Sequence, residues 1–278
     1  MPTIVRPDGA EIHYDVVGTG PVILALAPGG VSSEPGQWAG SPLPSLESLQ
    51  NQFTVISMDQ RYAGRSRAPL APFSYDDALA DQLAVMDAAG VDRAHVLGAD
   101  FGAAWALRLA YDAPARIGAV CLLEPVGLAD DSARGTYYAQ FNDTIRTARA
   151  DGLAGVISAA EGNGCFATNS AAGPWAQRLH DEPAFRDTLL TLGRELYIIL
   201  VVDFRDGFCP PGRRFFAVND VALERLSAPV LVIPGADAWH SPAVADAIAE
   251  AVPGAECYRT TGDPTALNER IARFFTVN

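Results

Sequence analysis

The chain has 278 residues, of which 49% are hydrophobic, and its 33 acidic and 20 basic residues give a formal charge of −13. This length and composition predict a globular protein with one large core, or a core with an insertion, and exclude a disordered chain. The acidic excess argues against nucleic acid and anionic membrane as partners.

Short apolar runs and helical patterns alternate along the first 126 residues. Continuous apolar runs are typical of strands buried on both faces of a parallel sheet, whereas helices repeat their apolar residues every three or four positions. The predicted strands are Glu11–Val17, Val22–Ala27, Phe53–Met58, 95–97 and Ile117–Leu123, and the predicted helices are Leu43–Leu49, Tyr75–Ala89 and a helix from Phe101 onward. The alternation indicates an α/β fold, a mostly parallel sheet with helices on both faces.

The second predicted strand ends in a glycine turn, Pro28-Gly29-Gly30-Val31. Glycines after a buried strand can turn backbone N–H groups toward a pocket, where the groups would stabilise a developing oxyanion. We therefore take Gly29, Gly30 and Val31 as candidate binding residues. The alternative is a tight turn with no role in binding.

The sequence Gly98-Ala99-Asp100-Phe101-Gly102 joins the fourth predicted strand to the next helix. Glycines two residues before and after Asp100 allow a turn so tight that the central side chain projects alone above the sheet. Asp100 is therefore the main candidate catalytic residue. The N–H of Phe101 is a candidate oxyanion donor, together with the N–H of Gly30 or Val31.

From 127 to 226 the strand–helix alternation stops. Helical patterns over Arg134–Arg149 and Trp175–Leu192 flank a segment rich in glycine, asparagine and serine. We interpret 127–226 as a helical cap inserted into an α/β core that consists of 1–126 and 227–278. Aromatic residues of this cap could line a substrate pocket; the candidates are Tyr137, Tyr138 and Tyr197.

The alternation resumes after the predicted cap. The predicted elements are strands over Pro229–Ile233 and Glu256–Thr260, a helix over Ala243–Ala251 and a closing helix from Gly262-Asp263-Pro264 to Phe275. The loop after the first of these strands contains three further candidate site residues, Asp237, Trp239 and His240.

Ligands of open parallel sheets bind beyond the carboxyl ends of the strands. The glycine turn, Asp100, Glu124 and the loop that contains Asp237 and His240 all follow predicted strands. We therefore expect these residues to converge at one edge of the sheet. Asp263 precedes the closing helix, and it could also lie near Asp100, in which case the two carboxylates would share a proton.

His240 is the only candidate for a catalytic imidazole. The other three histidines lie on predicted strands or in the predicted cap: His13, His95 and His180. A catalytic histidine needs a carboxylate that orients its ring, and Asp237 is the first choice for this role, with Glu124 as the second.

Three stretches make the chain resemble a known superfamily: MDQRYAGRSRAP, DQLAVMDAAGVDRAHVLG and the loop Asp237-x-x-His240-x-Pro242. Together with the glycine turn and the turn around Asp100, they resemble the α/β-hydrolase superfamily, in particular a bacterial branch whose strand-to-helix turn often carries cysteine. The resemblance implies that Asp100 occupies the nucleophile position, although serine is usual there. Most members also place their histidine after the last strand, where this chain has Gly262-Asp263-Pro264.

A carboxylate at the nucleophile position favours a particular chemistry. Its attack on an ester carbonyl would give a reactive anhydride, whereas its attack on the saturated carbon of an epoxide gives an ester that water can hydrolyse. The resemblance implies such chemistry, because epoxide hydrolases and haloalkane dehalogenases use an aspartate there. Phe101 stands where the dehalogenases carry a halide-binding tryptophan, and Tyr137, Tyr138 or Tyr197 could supply the acid of an epoxide hydrolase. We predict an epoxide-hydrolase-like enzyme for a small organic molecule, without metal or cofactor.

Two alternatives remain open. Asp100 and His240 could act as base and acid in a cofactor-free lyase, isomerase or cyclase of secondary metabolism. The pocket could also bind a ligand without catalysis. The chain shows no charged-then-apolar leader, no apolar run that could span a bilayer and no metal-ligand spacing of its four cysteines, so we expect a cytoplasmic protein with free thiols. The sequence leaves open whether it forms a homodimer.

Overall fold

The computed structural model describes residues 2–260 and 262–278. Within these residues it forms one sheet of eight strands. The strands are β1 Thr3–Val5, β2 Glu11–Val17, β3 Val22–Leu26, β4 Thr54–Met58, β5 Ala94–Ala99, β6 Ile117–Leu123, β7 Val230–Ile233 and β8 Glu256–Cys257. The helices are α1 Glu47–Gln50, α2 Tyr75–Ala88, α3 Phe101–Asp112, α4 Arg134–Gly162, α5 Ala176–Asp181, α6 Pro183–Leu192, α7 Arg194–Phe208, α8 Asp220–Glu224, α9 Pro242–Ala251 and α10 Pro264–Val277.

The strand order is β1-β2-β4-β3-β5-β6-β7-β8. β1 pairs antiparallel with β2, and β2 pairs antiparallel with β4, while all other neighbours are parallel. The predicted α/β class with a mostly parallel sheet is therefore confirmed. The register pairs Leu26 with Gly98, Gly98 with Leu122, and Leu123 with Ile233. The carboxyl ends of β3, β5, β6 and β7 consequently lie side by side.

Both faces of the sheet are covered, which explains the continuous apolar runs in the sequence. Side chains of successive strand residues point to opposite faces. In β6, Val120 and Leu122 belong to the core that includes α2, α3 and α9, whereas Cys121 and Leu123 belong to the core that includes α1 and α10. Burial of each such aliphatic side chain contributes about 1.5–3 kcal/mol, so both cores hold the strand ends in place.

Several predicted elements differ in extent from the observed ones. The helix predicted over Leu43–Leu49 forms only as α1, because the Ser41 hydroxyl accepts the N–H of Leu43 and competes with helical hydrogen bonding. The last strand is also shorter than predicted and ends at Cys257. β1, which has three residues, escaped prediction because so short a run carries no periodic signal.

A helical segment comprising α4 to α8 lies between β6 and β7. α4 extends beyond the predicted end and bends at Gly152, whose φ of 69° interrupts the helix. The single helix predicted over Trp175–Leu192 is divided into α5 and α6 because Pro183 has no N–H to continue the helical hydrogen bonds. No helix in the described part of the chain is both long and apolar enough to cross a membrane. The domain boundaries at 126 and 227 stay a prediction.

Candidate active site

Asp100 occupies the tight turn between β5 and α3. Its φ of 54° and ψ of −122° are unusual for a residue with a side chain and store backbone strain of about 1–3 kcal/mol. The turn needs glycine on both sides: a Cβ on Gly98 would lie 2.2 Å from the carbonyl oxygen of Gly102, and one on Gly102 would lie 2.2 Å from that of Leu26. The N–H of Asp100 donates to the carbonyl of Leu123 on β6. These contacts fix the aspartate at the sheet edge.

The carboxylate of Asp100 faces the imidazole of His240. Oδ1 of Asp100 lies 3.3 Å from Nε2 of His240, and Nδ1 of the same ring lies 3.0 Å from Oδ2 of Asp237. The backbone N–H groups of Trp239 and His240 both donate to Oδ1 of Asp237, each at 2.8 Å. The structure thus brings three predicted site residues into one hydrogen-bonded chain, with Asp237 as the carboxylate that orients the ring.

The charges around the imidazole shift its proton affinity. Burial disfavours the imidazolium, but the hydrogen bonds and negative charges of Asp100 and Asp237 outweigh it and raise the pKa of His240 to about 9. Burial opposes ionisation of Asp237 too, but the hydrogen bonds from His240 and from the loop N–H groups lower the pKa of that carboxyl below its usual value. His240 is therefore protonated at neutral pH.

Glu124 lies at the end of β6 with a φ of 48°. Burial, together with the negative charges of Asp237 and Asp100, raises the pKa of Glu124 and outweighs the opposing effect of His240. The Glu124 carboxylate makes no hydrogen bond to a side chain or N–H group in the described residues. Of the two carboxylates predicted to orient the imidazole, Asp237 is the one that contacts it. Gly235 lies close to both Glu124 and His240. A Cβ added to Gly235 would lie only 2.3 Å from the Cβ of His240 and 3.4 Å from the Cβ of Glu124.

The glycine turn after β3 supplies a donor to Asp100. The N–H of Gly29, which has a φ of 101°, donates to Oδ2 of Asp100 at 2.9 Å. The carbonyl groups of Gly29 and Gly30 accept the N–H groups of Ser32 and Ser33 and so are engaged within the turn. The predicted oxyanion donors, the N–H of Phe101 with that of Gly30 or Val31, stay a prediction, and the N–H that donates to Asp100 itself is that of Gly29.

A cavity of about 310 Å³ opens beside Asp100 and His240. The predicted residues Gly29, Gly30, Val31, Phe101 and Trp239 all line it. Residues of the helical segment that the sequence analysis missed line it as well: Gln140, Phe166, Ala167 and Phe208. No local pattern singles out these residues, because their entry into the cavity depends on how the helical segment lies over the sheet.

The three candidate tyrosines are absent from the residues that line this cavity. The hydroxyl of Tyr137 is buried and donates to the carbonyl of Trp239 at 2.6 Å. The hydroxyl of Tyr138 donates to the carbonyl of Cys209, and that of Tyr197 pairs with the Thr144 hydroxyl. Each tyrosine therefore has a protein partner of its own.

The remaining candidates lie elsewhere. Asp263 is exposed and caps α10 by accepting the N–H of Thr265. The ring nitrogens of the other histidines lie within hydrogen-bonding distance of partners outside the site: His13 of Thr3, His95 of Ala119 and His180 of Ala160. Among the described residues, no group of three or more His, Cys, Asp or Glu side chains is placed to hold a metal ion.

Comparison of the sequence with known proteins gives a family profile and several relatives. The profile described as "alpha/beta hydrolase fold" matches residues 24–191. A protein of Azorhizobium caulinodans that bears the name carbamate hydrolase RutD is 32% identical over 126 residues, 45% of each chain. The 2-hydroxy-6-oxo-6-phenylhexa-2,4-dienoate hydrolase of Comamonas testosteroni is 31% identical over 120 residues, 42% of this chain and 41% of the other. The matched region spans less than half the length of these relatives.

Two solved structures share the fold over nearly the whole chain. A hydrolase from Pseudomonas aeruginosa PA01 has a TM-score of 0.67 at 21% identity, covering 99% of this chain and 97% of its own. The enol-lactonase from Burkholderia xenovorans LB400 has a TM-score of 0.64 at 21% identity, covering 99% and 100%.

Proposed function

This chain belongs to the α/β-hydrolase fold family, and from that premise we propose that it hydrolyses a small epoxide with Asp100 as the nucleophile. One observation carries the proposal. A carboxylate stands at the strand-to-helix turn, and it faces an imidazole that a second carboxylate orients. A carboxylate attacks saturated carbon productively, whereas its attack on an ester carbonyl would give an anhydride.

In the first step, Oδ1 of Asp100 attacks a ring carbon of the epoxide, and the carbon–oxygen bond of the ring breaks. The departing oxygen takes the proton from Nε2 of His240. The tyrosine acid that the sequence suggested is not needed in this scheme, because the raised pKa of His240 keeps the imidazole protonated in the free enzyme. The product of the step is a hydroxyalkyl ester of Asp100 and a neutral imidazole.

In the second step, the ester no longer carries the negative charge that held the proton on His240. The neutral imidazole takes a proton from water, whose oxygen attacks Cγ of Asp100. Negative charge then develops on Oδ2, which already accepts the Gly29 N–H at 2.9 Å. The ester C–O bond then breaks, and the departing alkoxide takes the second proton of the attacking water to give the diol. The Asp100 carboxylate and the His240 imidazolium are thereby regenerated. The sum is epoxide plus water to diol.

The test is one turnover of styrene oxide in heavy-oxygen water. Because the chain contains no lysine, trypsin cleaves only after arginine and releases the peptide Ala94–Arg108, in which Asp100 is the only carboxylate side chain. A nucleophilic Asp100 gains one heavy oxygen, detected as a mass increase of that peptide after digestion in ordinary water. The same incubation without styrene oxide is the control. Confirmed turnover with an unlabelled peptide would contradict the proposal.

A proton-transfer enzyme is the second candidate, and the high pKa of His240 favours it too. A carboxylate base beside a protonated imidazole is a complete base–acid pair for a cofactor-free lyase, isomerase or cyclase. In such an enzyme the two oxygens of Asp100 never exchange with water. The labelling experiment therefore separates the two candidates.

A further inference from the structure

The cavity beside Asp100 has aromatic walls. Phe101, Phe166, Phe208 and Trp239 line it. The rings of Phe101 and Phe208 are 4.3 Å apart between centroids and tilted by 30°. Flat apolar surfaces of this kind bind ring-bearing ligands, because aromatic rings pack favourably face to face with an offset or edge to face.

Gln140 is the one carboxamide among the described residues that line the cavity. It lies half-buried on α4, and its carboxamide has no hydrogen-bond partner among the described residues. In a predominantly apolar pocket, a few polar groups fix the orientation of the ligand. A carboxamide offers two N–H donors and one carbonyl acceptor for this purpose.

The charge of the cavity excludes one class of ligand. The charged residues that line it are Asp100 and His240, and no arginine of the described chain is among the lining residues. Asp237 adds a second negative charge next to the imidazole. A ligand carboxylate would therefore meet net negative charge, with no cation left unpaired to receive it.

From these observations we infer that the site takes a neutral, ring-bearing molecule with an oxygen that accepts a hydrogen bond from Gln140. The inference deepens the proposed function by naming a substrate class, and it rests on that proposal for the reaction at Asp100. Gln140 positions the ring, and the reacting carbon then faces Oδ1 of Asp100.

Binding of three unreactive probes tests this inference separately from catalysis. The probes are 1-acetylnaphthalene, 1-ethylnaphthalene and 1-naphthoate, which share one ring system and differ in the oxygen and the charge. We expect the wild type to bind the ketone about tenfold more tightly than the ethyl compound, because one hydrogen bond contributes about that factor in affinity. The wild type should bind 1-naphthoate most weakly, because its carboxylate meets negative charge. Isothermal titration calorimetry gives the three dissociation constants.

Gln140→Met keeps the length of the side chain and removes its hydrogen bonds, so we expect the preference for the ketone to disappear. Gln140→Glu, a second variant in case the first is unstable, removes the donors and should also abolish the preference. Asn142→Leu is the matched control, because it removes an exposed amide from the same helix and should leave the preference unchanged.

Three results would overturn the inference. The ketone preference could stay unchanged in both Gln140 variants, 1-naphthoate could bind most tightly, or none of the probes could bind. Failure of the proposed function looks different. In that case styrene oxide is not hydrolysed through a labelled Asp100, while the ketone preference and its dependence on Gln140 persist.

Discussion

His240 holds its Nε2 3.3 Å from Oδ1 of Asp100, across 140 positions of sequence, while its other ring nitrogen contacts Asp237. Both Asp100 and His240 have less than one fifth of their side-chain surface exposed, whereas Asp237 is 61% exposed. The imidazolium therefore joins a partly buried carboxylate to an exposed one. This arrangement keeps a proton at the point where the proposed reaction needs it.

The first prediction concerns pH. Because the proposed ring opening uses the protonated His240, kcat/KM for styrene oxide should fall as the pH rises through about 9. Asp237→Asn removes one of the charges that raise this pKa, so the descending limb should move to lower pH. Asp263→Asn, at an exposed helix cap, is the control and should keep the wild-type profile. A profile that rises through pH 9 would show that the neutral imidazole acts first.

The same proton stabilises the fold. The pKa of His240 is raised from 6.5 to about 9, so the stabilisation is fully present below pH 6.5 and is lost as the pH rises through 9. We expect urea unfolding to show a larger loss of stability between pH 6 and 9.5 for wild type than for Asp100→Asn. Equal losses would indicate that Asp100 contributes nothing to the raised pKa.

The second prediction is that His240→Gln blocks turnover of the epoxide but lets an alkyl bromide accumulate as an ester of Asp100. Without the imidazole, neither the epoxide oxygen nor the attacking water has its proton-transfer partner, and turnover should fall by about 10²–10⁴-fold. A 1-bromoalkane needs no proton for its leaving group, so it should still alkylate Asp100. Intact-protein mass spectrometry would detect the trapped ester as an added alkyl group. His180→Gln, a histidine of the helical segment, should neither trap the ester nor slow turnover.

The third prediction is that Gly235→Ala lowers the activity by displacing His240. The new Cβ would lie 2.3 Å from that of His240, closer than real atoms approach, so the imidazole must move. A displacement near 1 Å can lower activity about 100-fold, and we expect a loss of that order in kcat/KM. Gly135→Ala is the control, because a Cβ there meets nothing within 4 Å on a helix. A Gly235→Ala enzyme with full activity would show that the position of His240 is not critical.

The fourth prediction distinguishes Tyr137 from a catalytic acid. Tyr137→Phe leaves the carbonyl of Trp239 without its 2.6 Å hydrogen bond, which should lower the free energy of unfolding by about 1–3 kcal/mol. Activity should fall less than tenfold, because in the proposed reaction His240 supplies the proton. Tyr138→Phe should have a smaller effect on stability, because the Tyr138 hydroxyl, which donates to the carbonyl of Cys209, is only half-buried. Complete loss of activity in Tyr137→Phe, with the fold intact, would make Tyr137 the acid.

The sequence predicted the strands well for a physical reason. Ile117–Leu123 is buried on both faces along its whole length, so its apolar run has no polar interruption and the predicted bounds match the observed strand. The turn at Asp100 could also be predicted from the sequence. Its flanking glycines, Gly98 and Gly102, are necessary because a side chain at either position would collide with the backbone. Local chemistry determines both features, and local chemistry is visible in a sequence.

Other features depend on contacts between distant segments. Whether the N–H of Gly29 or of Gly30 reaches Asp100 depends on backbone angles that two adjacent glycines leave free. The entry of Gln140 and Phe208 into the cavity depends on how α4 and α7 lie over the sheet. The partners of the tyrosine hydroxyls follow from the same packing. No local pattern records these long-range relations.

Asp237 and His240 are only three residues apart, and side-chain and backbone hydrogen bonds tie them together within one loop. The imidazole and the carboxylate that orients it are thus both encoded by a single short piece of sequence. One recombination event or one grafted loop could carry it intact into another sheet edge, whereas Asp100 requires the whole strand-to-helix scaffold. The described residues after 262 contribute no group to the cavity or to this hydrogen-bonded chain, and α10 packs against the sheet.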